Sequence, residues 1–227
     1  MKHFWDQVLR GLGKRSVEFM KHSAAKANRW EDHYTRLARK ERYPARSVYK
    51  LQEIQKRFAV IRPGSGVLDL GCAPGSWLMY AADLAGPSGR VVGIDLTPVT
   101  VSLPAHVSVH TVDVFELVEN PAAFFGREFD VVLSDMAPAT TGSRGVDAAR
   151  SYALCEAALT IARQVLTPGG AFVCKIFQGE DFRKFTEAVR AGFSECKIFK
   201  PQSCRKASKE IYLIGKGKKT GGPHVRS

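Results

Sequence analysis

Three aspartates and a lysine stand where apolar runs of this chain stop or nearly stop: Asp95 in VVGIDL, Asp113 in HTVDV, Asp135 in VVLSDMAP and Lys175 in AFVCKIF. A buried strand that ends on such a residue releases its side chain into a cleft. An ionised carboxylate only accepts hydrogen bonds, so acids in these places suit a ligand rich in hydroxyls and amines. Ahead of them, VLDLGCAPGSW runs from a short apolar stretch into a turn bearing Gly71 and Gly75 and then into a helix. Glycine lets the backbone approach a ligand closely, and the first amides of a helix favour an anionic group. An acid after the second strand is placed to accept from ribose hydroxyls, and one after the third to accept from an adenine amino group. Together these describe an adenosine with a carboxylate-bearing tail, S-adenosylmethionine. A dinucleotide would use the same devices, but its G-x-G-x-x-G fingerprint is absent, and no G-K-[ST] marks a phosphate-cradling loop.

The elements that must position these residues follow from hydrophobic periodicity. VLDLG, RVVGID, VSVHTVD, FDVVLSD and GAFVCKIF are expected strands, with SECKIF and KEIYLIGKG closing the sheet. SWLMYAADLA, VDAARSYALCEAALTIARQVL and EDFRKFTEAVRAGF are expected helices, and an N-terminal helical region broken near Pro44 resumes through SVYKLQEIQKRF. Strands alternating with amphipathic helices predict an α/β fold. Its doubly wound, mostly parallel sheet of seven strands is Rossmann-like, with ligands at the carboxyl ends of the strands.

The net charge of +12 over 227 residues is unevenly placed. Residues 1–62 hold 16 Lys and Arg against 6 Asp and Glu, and residues 197–227 hold 9 against 1, whereas 63–196 hold 9 against 15. An acidic centre with basic ends can grip a polyanion without altering its fold, which points to nucleic acid. Basic ends can also be merely solvating, but RLARKERYPARSVYKLQEIQKRF interleaves its cations with Tyr43, Tyr49 and Phe58, which suits a folded or base-contacting segment. No apolar run approaches the roughly 20 residues needed to cross a bilayer. The N-terminal stretch lacks a continuous apolar core and a small-residue cleavage site, so a cytoplasmic protein is expected rather than a secreted one; its basic character leaves an organellar transit peptide open, against which Asp6 and Glu18 argue. Five cysteines form no CxxC pair and no zinc-like spacing, and read as reduced thiols.

DLGCAPGSW, SDMAP, LTPGGAFVCKIFQGE and KEIYLIGKG, in unbroken order from about Arg46 to Lys216, resemble the FtsJ (RrmJ) family of ribosomal RNA 2′-O-ribose methyltransferases. The resemblance implies a Lys-Asp-Lys-Glu tetrad at Lys50, Asp135, Lys175 and Glu210. It implies S-adenosylmethionine contacts at Gly75, Trp77, Asp95, Asp113 and Asp135, and no metal. It divides the chain into a basic extension (1–45), a methyltransferase domain (46–216) and a flexible basic tail (217–227). It also implies a uridine of large-subunit ribosomal RNA as target, free or in the subunit, and a monomeric, cytoplasmic enzyme. Two departures stand out: Ser76 replaces the usual second glycine of PGGW, and Ala139 replaces the polar residue that commonly follows SDMAP.

The chemistry asks little covalent work of the protein. A ribose hydroxyl is a poor nucleophile and a sulfonium methyl is already activated, so the chain must align the two and remove one proton. A lysine is ordinarily protonated, with a reference pKa of about 10.4. Burial and a second ammonium disfavour its charge, so Lys50 beside Lys175 favours Lys175 as the base, while Asp135 and Glu210 oppose that shift and hold both lysines. Two other classes stay open: a small-molecule O-methyltransferase, which would ignore added RNA and salt, and a non-enzymatic RNA-binding assembly factor, which would fail to bind the cofactor. An amino-group methyltransferase fits less well, because SDMAP lacks the aromatic residue that faces a planar base in those enzymes.

Overall fold

The computed structural model describes residues 33–138, 144–179, 181–205 and 208–220. Residues 1–32 and 221–227, which hold most of the expected extension and tail, and Ala139 lie outside the described residues. A helical stretch at 33–40, α1, leads through the Pro44 segment to α2 (Val48–Phe58), as the broken helical pattern predicts. Then follow β1 (Gly66–Leu70), α3 (Ser76–Ala85), β2 (Arg90–Asp95), β3 (Val107–Thr111) and β4 (Phe129–Ser134), with the short helices α4 (Val114–Leu117) and α5 (Pro121–Phe125) between β3 and β4. After them come α6 (Arg144–Val165), β5 (Leu166–Phe177), α7 (Phe182–Gly192), β6 (Phe193–Phe199) and β7 (Glu210–Lys218).

The seven strands form one sheet in the order β3-β2-β1-β4-β5-β7-β6. Pairing is parallel from β3 through β5, and β7 inserts antiparallel between β5 and β6. Both faces are covered, which is why the central strands read as continuous apolar runs rather than alternating ones. Val67, Val131, Leu133, Val173 and Ile214 pack on one side with α2 and α3. Leu68, Leu70, Val132, Phe172 and Leu213 pack on the other with α4 to α7. Leu51 and Ile54 of α2 are fully buried, and at about 1.5–3 kcal/mol each they anchor the helix that carries Lys50.

Boundaries shift by a residue or two at several elements, and three departures from the sequence expectation carry a physical reason. β3 stops at Thr111, and Asp113 instead caps α4, its carboxylate accepting from Phe115 N at 2.9 Å. Asx side chains compete with the strand ladder for nearby amides, and here the cap wins. β5 starts at Leu166, five residues before the apolar run, with a register shift against β4 between Phe129 and Val131 that absorbs the LTPGG segment. β7 runs two residues past the boundary expected for the tail. Lys218 donates to Leu166 O and Lys219 to Arg190 O and Ala191 O.

Candidate active site

Sheet register alone brings most of the site together. Lys175 of β5 faces Tyr212 of β7, and Phe177 faces Glu210, so Lys175, Tyr212 and Glu210 share one face at the carboxyl end of β5. Ser134 pairs with Cys174, which sets Asp135, the first residue after β4, beside Lys175. α2 lies over this end and lowers Lys50 onto it. Lys175 Nζ lies 3.1 Å from Asp135 Oδ1 and donates to the Asp135 carbonyl at 2.5 Å, while Lys50 Nζ stands 3.7 Å from the same Oδ1 and 3.1 Å from Glu210 Oε2. Lys175 is only 6% exposed. All four members of the expected tetrad are therefore joined, with one carboxylate oxygen between the two ammonium groups.

The electrostatics follow from that arrangement. Burial, the largest influence on Asp135, favours its neutral form, but Lys175 and Lys50, with the Tyr212 hydroxyl, hold its carboxyl below the usual range. Burial likewise works against the charge of Lys50, and the carboxylates of Asp135 and Glu210 reverse it, so Lys50 stays protonated more firmly than a free lysine. Tyr212 donates to Asp135 Oδ1 at 2.6 Å, and burial followed by that carboxylate pushes its own ionisation well up. Sequence reasoning missed Tyr212. The signal was present, since it lies two residues after Glu210 and so on the same face of an expected strand.

A cavity of about 600 Å³ opens at the carboxyl ends of β1 to β4. Asp95, Asp113 and Asp135 all line it, with Leu96, Val114, Phe115 and Met136 as apolar walls. Asp95 accepts from Ala73 N at 2.9 Å and from Thr97 N at 2.8 Å, so its carboxylate is fixed in direction while each oxygen keeps a lone pair for a ligand. Asp113 gives one oxygen to its cap. Acceptors at the ends of β2 and β3, apolar walls and Asp135 after β4 on the other side fit S-adenosylmethionine.

Gly75 and Trp77 do not line the cavity with side chains. Gly75 has a φ of 110°, and a Cβ there would stand 2.8 Å from Val101 Cγ2, so glycine is required by conformation and packing rather than only by a ligand. Trp77 is buried, and its Nε1 donates to Ser47 O at 2.8 Å. Ser76, the departure from a second glycine, accepts from Ala45 N at 2.7 Å. The first turn of α3 thus clamps residues 45–47, immediately before the helix that bears Lys50. Any contribution of Gly75 and Trp77 to an anionic ligand is through main-chain amides at the N-terminus of α3. Asp69 was also missed: it is fully buried in β1, and neither oxygen has a hydrogen-bond partner among the described residues.

Known proteins agree with this architecture. Residues 43–218 match the model of the FtsJ-like methyltransferase family. The chain is 62% identical over 194 residues to a ribosomal RNA large subunit methyltransferase E of Desulforapulum autotrophicum, covering 86% of this chain and 96% of that one. It is 55% identical over 208 residues to the protein of the same name from Desulfatibacillum aliphaticivorans, covering 92% and 100%. A crystal structure of a Plasmodium falciparum chain described as a ribosomal RNA methyltransferase superposes with a TM-score of 0.65 at 22% identity, covering 78% of this chain and 98% of that one, a likeness of fold. The chain belongs to the FtsJ-like methyltransferase family.

Proposed function

We propose that this protein transfers a methyl group from S-adenosylmethionine, the methyl donor of its family, to a ribose 2′-hydroxyl of large-subunit ribosomal RNA, with a uridine as the target nucleoside. The observation that carries the reading is the position of the tetrad between two spaces. Asp135 lines the 600 Å³ cavity, while Lys50 and Glu210 line a groove of about 540 Å³ with Arg46, Ser47, Phe177, Arg205 and Ser208. A transferase needs two such rooms meeting at the reacting atoms. The second room is walled by cations, as an RNA acceptor requires.

S-adenosylmethionine supplies an electrophilic methyl carried on a sulfonium. Asp95 binds the ribose hydroxyls of its nucleoside, and Asp113 accepts from the adenine amino group. Lys175 acts as the neutral amine: its ammonium proton passes to solvent first, and the freed lone pair then takes the proton of the acceptor 2′-hydroxyl. Lys50 keeps a fixed positive charge beside it, and Asp135 orients both lysine nitrogens from one oxygen. Glu210 holds Lys50. Alignment and one proton transfer are all that the chain provides, and both are of the size such groups deliver.

In this reading residues 1–45 are a basic extension, the methyltransferase domain expected at 46–216 runs on to the end of β7 at Lys218, a basic tail follows, and the protein acts as a monomer in the cytoplasm. Among the described residues no helix is long and apolar enough to cross a membrane. The test is mass-spectrometric mapping of ribose methylation in ribosomal RNA from a strain lacking the gene, followed by restoration with purified protein. One missing 2′-O-methyl group, returned only when S-adenosylmethionine is added, is the expected result. Unchanged ribose methylation in the deletion strain overturns the assignment.

A further inference from the structure

A second groove, of about 530 Å³, lies on the far side of Arg46 and belongs to no part of the tetrad. Tyr34, Tyr49, Gln52, Glu53, Lys56, Arg57, Phe199 and Gln202 form its walls, of which the aromatic and charged members matter. Phe199 packs edge-on against Phe58, with centroids 5.4 Å apart at 83°, and is only partly buried. Lys56 and Arg57, in the last turn of α2, are exposed and make no ion pair among the described residues. The one acid of the groove, Glu53, is already committed: its two oxygens accept from Gln202 N at 2.6 Å and Ser203 N at 2.8 Å.

Arg46 joins this groove to the acceptor groove. Its guanidinium lines the acceptor side and donates to Ser203 O at 3.0 Å, and it lies 5.9 Å over the ring of Tyr34, which lines the other side. The two spaces therefore share a wall, and α2 borders both, with Lys50 turned to one and Lys56 and Arg57 to the other. A partly exposed aromatic ring with two cations beside it, and the groove's one carboxylate turned to backbone amides, is the chemistry that takes a base on its face and the backbone phosphate on its edge.

We propose that this groove seats an unpaired base of single-stranded RNA next to the target nucleotide, with Phe199 as the stacking surface and Lys56 and Arg57 on the phosphates. The inference rests on the RNA methyltransferase reading and names where the substrate strand leaves the catalytic end. Stacking of one base on one ring changes affinity by about five- to a hundredfold. Removing a cation from one phosphate lowers the steepness of salt dependence by about 0.7 for a single strand.

The experiment uses the full chain and a short fluorescein-labelled oligouridylate, read by anisotropy across salt, with S-adenosylmethionine affinity by calorimetry as the control for an intact fold. Phe199→Ala should weaken oligouridylate binding about five- to a hundredfold, Phe199→Trp should retain it, and Lys56→Glu with Arg57→Glu should weaken it and flatten its salt dependence. Cofactor affinity should stay within about twofold in all three, and the KM for ribosomal RNA should rise in the two weakened variants. The charge variant changes only exposed side chains, so it stands even if Phe199→Ala unfolds. Wild-type oligouridylate affinity and wild-type KM in both Phe199→Ala and the charge variant overturn the groove. Loss of binding to the assembled subunit with unchanged oligouridylate binding also overturns it, and assigns the groove to a protein partner. A wild-type protein that binds oligouridylate through Phe199 but transfers no methyl overturns the RNA methyltransferase reading and leaves the groove standing.

Discussion

Tyr212 donates its hydroxyl at 2.6 Å to Asp135 Oδ1, the same oxygen that Lys175 approaches to 3.1 Å. The buried phenol and the two lysines together keep Asp135 ionised in a place where burial alone would neutralise it. A carboxyl whose folded pKa is depressed contributes stability that is present above its unfolded value, about 3.9, and is lost as pH falls through the folded one. Lys50 runs the other way. Its raised pKa gives stability that is complete below its unfolded value, about 10.4, and fades as pH rises through the folded one.

Tyr212→Phe removes one hydrogen bond to a charged group and should lower unfolding free energy at pH 7 by about 1.5–3 kcal/mol. Because the bond is to the ionised carboxylate, the difference from wild type should shrink as pH falls through the folded pKa of Asp135. Urea unfolding at neutral and strongly acidic pH measures it. A difference independent of pH would mean that the hydroxyl contributes without regard to the charge of Asp135.

Lys175→Ala should leave S-adenosylmethionine binding nearly intact and slow single-turnover methyl transfer by about 10²–10⁴, the range for losing a general base. Lys175→Arg should not rescue it, since a guanidinium stays protonated. Transfer at saturating RNA and cofactor, followed across pH, is the measurement. Wild-type activity in the arginine variant would reduce Lys175 to a positioning charge.

Asp95→Ala should weaken cofactor binding about ten- to a hundredfold, the equivalent of losing charged hydrogen bonds worth about 1.5–3 kcal/mol. Asp95 also holds Ala73 N and Thr97 N, so part of the loss is loop order. Calorimetry with S-adenosylmethionine and with adenosine alone separates the contributions. Equal affinity in variant and wild type removes Asp95 from the nucleoside site.

Burial, then the neighbouring charges of Asp135 and Asp95, raise the pKa of Asp69 well above that of a free carboxyl. Between the unfolded value, about 3.9, and the raised folded one, folding takes up a proton, and the penalty grows by up to about 1.4 kcal/mol per pH unit across that interval. Asp69→Asn should accordingly gain stability relative to wild type as pH rises from about 4 to 8. Thermal unfolding over that range, with no pH-dependent gain, would show that Asp69 is ionised in the fold.

Neutralising Arg39, Lys40 and Arg42, all exposed at the end of α1 and just after it, should flatten the salt dependence of RNA binding by about two units of slope for three single-strand phosphate contacts. Cofactor affinity should not move. A slope equal to that of wild type takes this segment out of the RNA contact.

Hydrophobic runs alone mark the sheet's strands and the carboxyl ends that carry Asp95 and Asp135, and motif resemblance picks out the four residues that the fold brings together. These are local matters: an apolar run that stops at a polar residue is visible without knowing its neighbours. Trp77 shows where locality ends. Its place in an apolar helix was plain, but only packing of α3 against residues 45–47 sets its indole on the main chain just ahead of Lys50. The antiparallel insertion of β7 between β5 and β6 was likewise not legible, because strand order is set by contacts between residues far apart in the chain. That insertion sets Tyr212 opposite Lys175 and Glu210 near Lys50. The charges at each position came from the sequence, but which of them share an oxygen, and therefore which are held charged, was decided by tertiary structure, because Coulomb energies and desolvation depend on distances that no one-dimensional pattern contains.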